Sequence, residues 1–256
     1  MSTATLAPPA AARDARPGLA RLTAVELRKM TDTRAGFWLL LSTVGLAIAA
    51  VLILGFVGDA QEHRLRDMLA VAVAPVVVLL PVVGILLVSS EWSQRTSLLT
   101  FALVPHRSRV IAAKLAAGVV LSLGALQICI AIALLGTAIA DPGASDTWSL
   151  PAWMLGQTTV FVVTAMIMGI GFGAMLLSSA PAIVLYFALP LAWTAVGSLA
   201  FLADAARWLD STRSLAPMTD ELMSSTQWAR AGATLALWML LPLLVGLWRV
   251  TRGDVR

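Results

Sequence analysis

A chain of 256 residues that is 59% hydrophobic and 12% charged, with a mean hydropathy of +0.87, is not a soluble globular domain, in which about 25% of residues are charged. The composition requires an all-α polytopic membrane protein. The single cysteine, Cys129, lies in an apolar run and excludes an intrachain disulfide, while the two histidines, His63 and His106, fall in different loops and form no metal-ligand cluster.

Residues 1–18 are rich in alanine and proline and read as a disordered tail ahead of one membrane domain over 19–256. The first apolar run begins near Phe37 and is too long for the h-region of a cleavable signal peptide. Leu19–Ala35 reads as a helix on the membrane surface, with Thr23-x-x-Glu26 as a capping box that starts it at Ala24. Leu19, Leu22 and Met30 share one face of this helix, and Arg21, Arg28 and Asp32 the opposite one. Glu26, Arg28 and Lys29 are its candidate functional charges; a solvated juxtamembrane segment is the alternative.

Six spans follow, at Phe37–Gly58, Met68–Ser90, Leu115–Ala140, Ala152–Leu177, Ala180–Ala203 and Ala231–Trp248. Each approaches or exceeds the roughly 20 residues that cross a bilayer as a helix. Pro181 favours the break between the fourth and fifth. With both termini cytoplasmic, thirteen of the 18 basic residues but only five of the 14 acidic ones fall inside. Trp38, Trp92 and Trp248 then mark the inner boundary, Trp148, Trp153, Trp208 and Trp228 the outer one, and Trp193 and Trp238 lie deeper. Sixteen arginines against two lysines fit a GC-rich bacterial source, hence a bacterial cell membrane.

Pro75, Pro81, Pro190 and Pro242 interrupt spans and permit kinks. Gly169, Gly171 and Gly173 are not a dinucleotide fingerprint, since the pattern is G-x-G-x-G within an apolar helix; they permit close helix approach. The loop from Asp204 to Arg230 carries scattered apolar residues and reads as short interfacial helices split near Pro217.

The absences restrict function. The six runs contain no Asp, Glu, Lys, Arg or His, whereas ion-coupled carriers place ionisable groups within the membrane. Gln127 and Gln157 are the notable polar groups at depth. No phosphate loop, zinc-protease motif or nucleophile elbow is present, so this chain is not expected to be an enzyme or to hold a cofactor. Energy for any work on a substrate would come from a partner.

The stretch Glu91–Lys114 is the candidate place for that partner. Thr96–Val104 can form a short helix ended before Pro105, with Leu98, Leu99, Phe101, Leu103 and Val104 as an apolar cluster. His106, Arg107, Arg109 and Lys114 form a basic rim. Such a helix fits a groove on another protein or, equally on periodicity, lies against anionic lipid headgroups.

Glu91, Thr96, Pro105, Arg107 and Lys114 in this order, with the run from Glu26 to Arg34, resemble ABC-2-type transporter permeases. The hydropathy match covers nearly the whole chain from Leu19, the motif match only Glu91–Lys114, and Arg95 stands where the family often has glycine. The resemblance implies a connecting helix, a coupling helix after the second span, outer helices before the sixth, and a permease that pairs with a second copy or a related paralogue. It implies an ABC ATPase docking on Glu91, Arg95, Thr96, Leu99, Phe101, Pro105, Arg107 and Arg109, with ATP and Mg bound by that partner, and export of the substrate. The charge-free interior suits a hydrophobic or amphipathic substrate. The partners expected are therefore protein and membrane lipid, not nucleic acid. The alternative function is a non-transporting assembly or sensory subunit whose loop binds a cytoplasmic regulator.

Overall fold

The computed structural model of the chain describes residues 18–58, 63–93, 107–140, 147–197, 199 and 203–252. Nearly all of them are helical, and none of the described residues is in a strand. Six helices are long and apolar enough to cross a bilayer, as the hydropathy requires. The predicted tail and the predicted helix Thr96–Val104 lie outside the described residues.

Helix α1 (Leu19–Asp32) is followed by α2 (Arg34–Val57), α3 (Leu65–Ser93) and α4 (Arg107–Ala140). The predicted capping box at Thr23 is not formed. α1 starts at Leu19 behind Gly18, and the Thr23 hydroxyl donates to the Leu19 carbonyl at 3.0 Å from inside the helix. Back-bonding of this kind is what a Thr within a helix does when an earlier turn already exists. The working cap is Thr33, whose hydroxyl accepts from the Gly36 N–H at 3.1 Å and starts α2. Glycine is required there, because a Cβ on Gly36 would sit 1.9 Å from the Met30 carbonyl oxygen.

Helix α5 (Ala152–Leu176) packs along α3 and forms the centre of the bundle with it. Met68, Leu69, Val73, Val76, Met166 and Ile170 are buried between neighbouring helices. The approach is close because of the glycines: a Cβ on Gly169 would lie 2.3 Å from the Pro81 carbonyl oxygen, and one on Gly173 2.8 Å from that of Ile85. α3 runs unbroken through Pro75 and Pro81.

The chain reverses at Leu177, which adopts the left-handed conformation at φ 54°, a position glycine usually takes. Helix α6 (Ser179–Val196) follows, with Pro181 in its first turn, where a missing N–H costs nothing. The Ser89 and Ser179 hydroxyls, 2.8 Å apart, join its start to α3. α6 ends at Val196 and not at Ala203 as predicted; Ala203 begins a separate short helix. At Gly197 the missing side chain admits Ala206, whose Cβ would be 2.5 Å from an added one.

At the end of the bundle away from Glu91 lie α7 (Ala203–Leu209), α8 (Ser211–Leu215) and α9 (Pro217–Asp220). Pro217 opens α9, as the sequence predicts. Leu215, Met218 and Met223 are buried against Phe161 and Leu235. Gln157 holds this layer: its amide donates to the Glu221 carbonyl at 2.8 Å and accepts from the Met223 N–H at 3.0 Å. Gln157→Leu leaves both groups unpaired and is expected to cost about 1–3 kcal/mol. The loss should be accompanied by faster hydrogen exchange confined to residues 217–224.

The last span is longer than predicted and is built in three parts. Helix α10 (Ser225–Leu235) starts at a capping box of Ser224 and Gln227. A π-helical turn, Ala236–Leu240, follows, and then α11 (Leu241–Arg252). The wide turn precedes Pro242, whose ring would otherwise meet the Trp238 carbonyl. Trp238 is buried as predicted and donates to the Leu209 carbonyl at 2.7 Å. Trp193 is half-buried.

Candidate functional site

At the opposite end, where α3 stops and α4 begins, two glutamates and two lysines are brought together from three helices. Lys114 is 3% exposed, Glu26 4% and Glu91 8%. The Lys114 ammonium donates to Glu26 Oε2 at 2.6 Å, to Glu91 Oε1 at 2.9 Å and to the Leu87 carbonyl at 3.2 Å. All three of its protons are thereby used. Lys29 donates to Glu26 Oε1 and Glu91 Oε1, each at 2.7 Å. The four charges cancel, and each is hydrogen-bonded as well as paired, the condition under which buried ions are tolerated.

Local sequence positions each member. Glu26 and Lys29 stand one turn apart on α1, on the face that also buries Met30. Glu91 is in the last turn of α3, directly after its apolar run, and Lys114 lies two turns into α4, directly before the next one. The helices thus extend past the predicted span boundaries, and the first residues beyond those boundaries pair with each other. Both lysines of the chain are here. A lysine offers a compact charge with three donors, where a guanidinium needs a planar fork of space.

Burial works against the charge on Lys29, but the hydrogen bonds from its ammonium to Glu26 and Glu91 outweigh it and hold its pKa above the ordinary 10.5. A raised folded pKa means stability that is fully present below the unfolded value and lost as pH rises through the folded one. Thermal stability should therefore be flat in this group from pH 7 to 10 and fall above about 10.5. Lys29→Met should remove that alkaline limb. The effect is modest, because the Lys29 side chain is 37% exposed.

The other predicted residues divide. Arg28 is exposed and pairs with Asp32 at 3.1 Å. Arg109 is half-buried near the start of α4, and Arg107 is the first residue of that helix. Arg95, Thr96, Leu99, Phe101 and Pro105 lie outside the described residues. Glu91, predicted as part of a docking surface, has its Oε1 committed inside the bundle. A cavity of about 20 Å³ beside Glu91 and Lys114 has room for one water. Val88 of α3, Val110 of α4, Ile170 of α5 and Val250 of α11 also line it, so four crossing helices meet at the cluster. Arg249 of α11 donates to the Met175 carbonyl at the end of α5, closing the same end.

The arrangement ties α1, α3 and α4 together through buried ion pairs, and no group of three or more His, Cys, Asp or Glu that could hold a metal occurs among the described residues. The residues between Ser93 and Arg107 leave from α3 and return to α4 at two points joined by Glu91 and Lys114, and Glu26 fixes α1 to the same pair. No protein-family model matches the chain, and no curated protein matches it significantly.

Proposed function

We propose that this chain is the membrane subunit of an ATP-driven transporter of the ABC-2 permease type. A separate ATPase would grip the segment between Glu91 and Lys114, and ATP and Mg would be bound by that partner. The observation that supports this most is the Lys114 bridge to Glu26 and Glu91. It makes the roots of the segment and the N-terminal helix one rigid unit, so a push on the segment would reach α1, α3 and α4 together. The many apolar residues exposed on α2 and α6 leave two helix faces for a second copy or a paralogue. The orientation proposed is termini and Glu91–Lys114 on the cytoplasmic side of a bacterial membrane, with an apolar or amphipathic substrate moved outward.

The test is affinity purification of the full chain from its native membranes in mild detergent, with any bound nucleotide-binding ATPase identified by mass spectrometry. Co-purification is expected, with loss of that partner in the Phe101→Asp, Arg107→Glu double variant while the chain itself stays folded. Retention of the ATPase by that variant would remove the segment as the docking site. A regulator in place of any nucleotide-binding protein would favour the non-transporting reading.

A further inference from the structure

Away from the ion cluster, α3, α5 and the short helices at the far end enclose a cavity of about 430 Å³. This volume is in the range of pockets that hold small molecules. Along α3 it runs from Ala70 to Val78, about 12 Å at the helical rise. Its walls are apolar, with Val73, Val77, Met168 and Leu215 and two aromatic rings, Phe161 and Tyr186. At its other end the lining turns polar, with Ser211, Thr212, Thr219 and Asp220. Asp220 is the only charged residue among the described lining.

Its neighbours show why that matters. Asp204 pairs with Arg207, Asp210 with Arg213, and Glu221 accepts from Gln227. Asp220 is exposed and takes only the Thr219 hydroxyl, at 3.0 Å, with no cationic partner among the described residues. The cavity also opens sideways, where Ala74 and Val78 are exposed on the apolar flank of α3. A molecule could therefore enter from the hydrocarbon and meet a carboxylate at the polar end.

We infer that this cavity binds a lipophilic organic cation, with its apolar or aromatic part between Phe161 and Tyr186 and its cationic group at Asp220. The walls and the two rings bury the apolar or aromatic part, and the Asp220 carboxylate selects the sign of the charge. Occupancy needs no ATPase, so the site stands apart from the transport reading.

The test uses the full chain in nanodiscs of zwitterionic phospholipid. The probe is a benzophenone carrying a trimethylammonium group, compared with its neutral tert-butyl isostere, and crosslinked peptides are mapped by mass spectrometry. Saturable labelling of the α3, α5 or α8–α9 peptides by the cation is expected. Asp220→Asn should weaken the cation about fivefold, the upper range for one exposed charge pair, and leave the isostere unchanged. Ala74→Trp, at an exposed lining position, should abolish labelling by filling the slot. Equal labelling by both probes with no effect of Asp220→Asn would make this a slot for lipid tails and overturn the inference. Labelling that survives Ala74→Trp, or no labelling of these peptides, would also overturn it. Asp220→Asn is at a solvent-exposed site, so it tests charge selection even if the Trp variant fails to fold.

Discussion

Lys114→Met is expected to destabilise the chain by about 3–5 kcal/mol, the usual cost of breaking a buried ion pair from one side. The methylene stem is kept, so the loss does not come from a cavity. It comes from two buried carboxylates, Glu26 and Glu91, that lose the cation bridging them at their buried side, while the half-exposed Lys29 still touches both. Lys114→Arg keeps the charge yet should still cost about 1–3 kcal/mol, because a guanidinium must be forced into a site packed for an ammonium. Arg28→Ala, which breaks the exposed pair with Asp32, should change stability by less than about 0.5 kcal/mol. Replacing Glu26, Lys29, Glu91 and Lys114 together by Met should recover most of the loss, since no charge is then buried. Urea unfolding in mixed micelles reads all four. A Lys114→Met variant as stable as the parent would show that the cluster is not formed.

Gly169→Leu should be comparably damaging for a different reason. Its Cβ alone would lie 2.3 Å from the Pro81 carbonyl oxygen and 2.7 Å from the Pro81 Cα, both backbone atoms that cannot rotate away. α3 and α5 must separate along the seam that holds Met166 and Ile170, and a loss of about 3 kcal/mol or more is expected, at the top of the overpacking range. Gly156→Ala on the same helix is the control, since a Cβ there meets nothing within 4 Å. It should be neutral or stabilising by up to about 1 kcal/mol through helix propensity. Equal effects at the two positions would mean that the helices are not in close contact at Gly169.

The six spans were legible in the sequence because length and hydropathy decide them, and Pro217 and the glycines of α5 were read for the right physical reasons. Boundaries were not. Glu91 and Lys114 were placed outside the bilayer-spanning runs because each is charged, yet both belong to the helices those runs form. Charge alone gives the cost of burial and says nothing of the partner that offsets it. The signal present in the sequence was modest: opposite charges directly bordering two apolar runs on the same side, and the only two lysines of an arginine-rich chain. Glu26 could not be joined to them from sequence, because 88 residues separate it from Lys114. Thr23 fitted a capping pattern, but the helix had already begun at Leu19, and the cap that matters is Thr33. Gln157 stood out as a polar group at depth, while the carbonyls that satisfy it lie in a layer no periodicity reveals.

Photo-crosslinking from position 101 decides whether the segment between Glu91 and Lys114 meets an ATPase. A benzoylphenylalanine at Phe101, with one at the exposed, lipid-depth Gln127 as the control, would be irradiated in native membranes and the adducts identified by mass spectrometry. One soluble protein carrying a nucleotide-binding phosphate loop is expected at position 101, and lipid adducts or none at position 127. Lipid adducts at both positions would mean that the segment rooted in the Glu91–Lys114 pair lies on the bilayer and grips no ATPase.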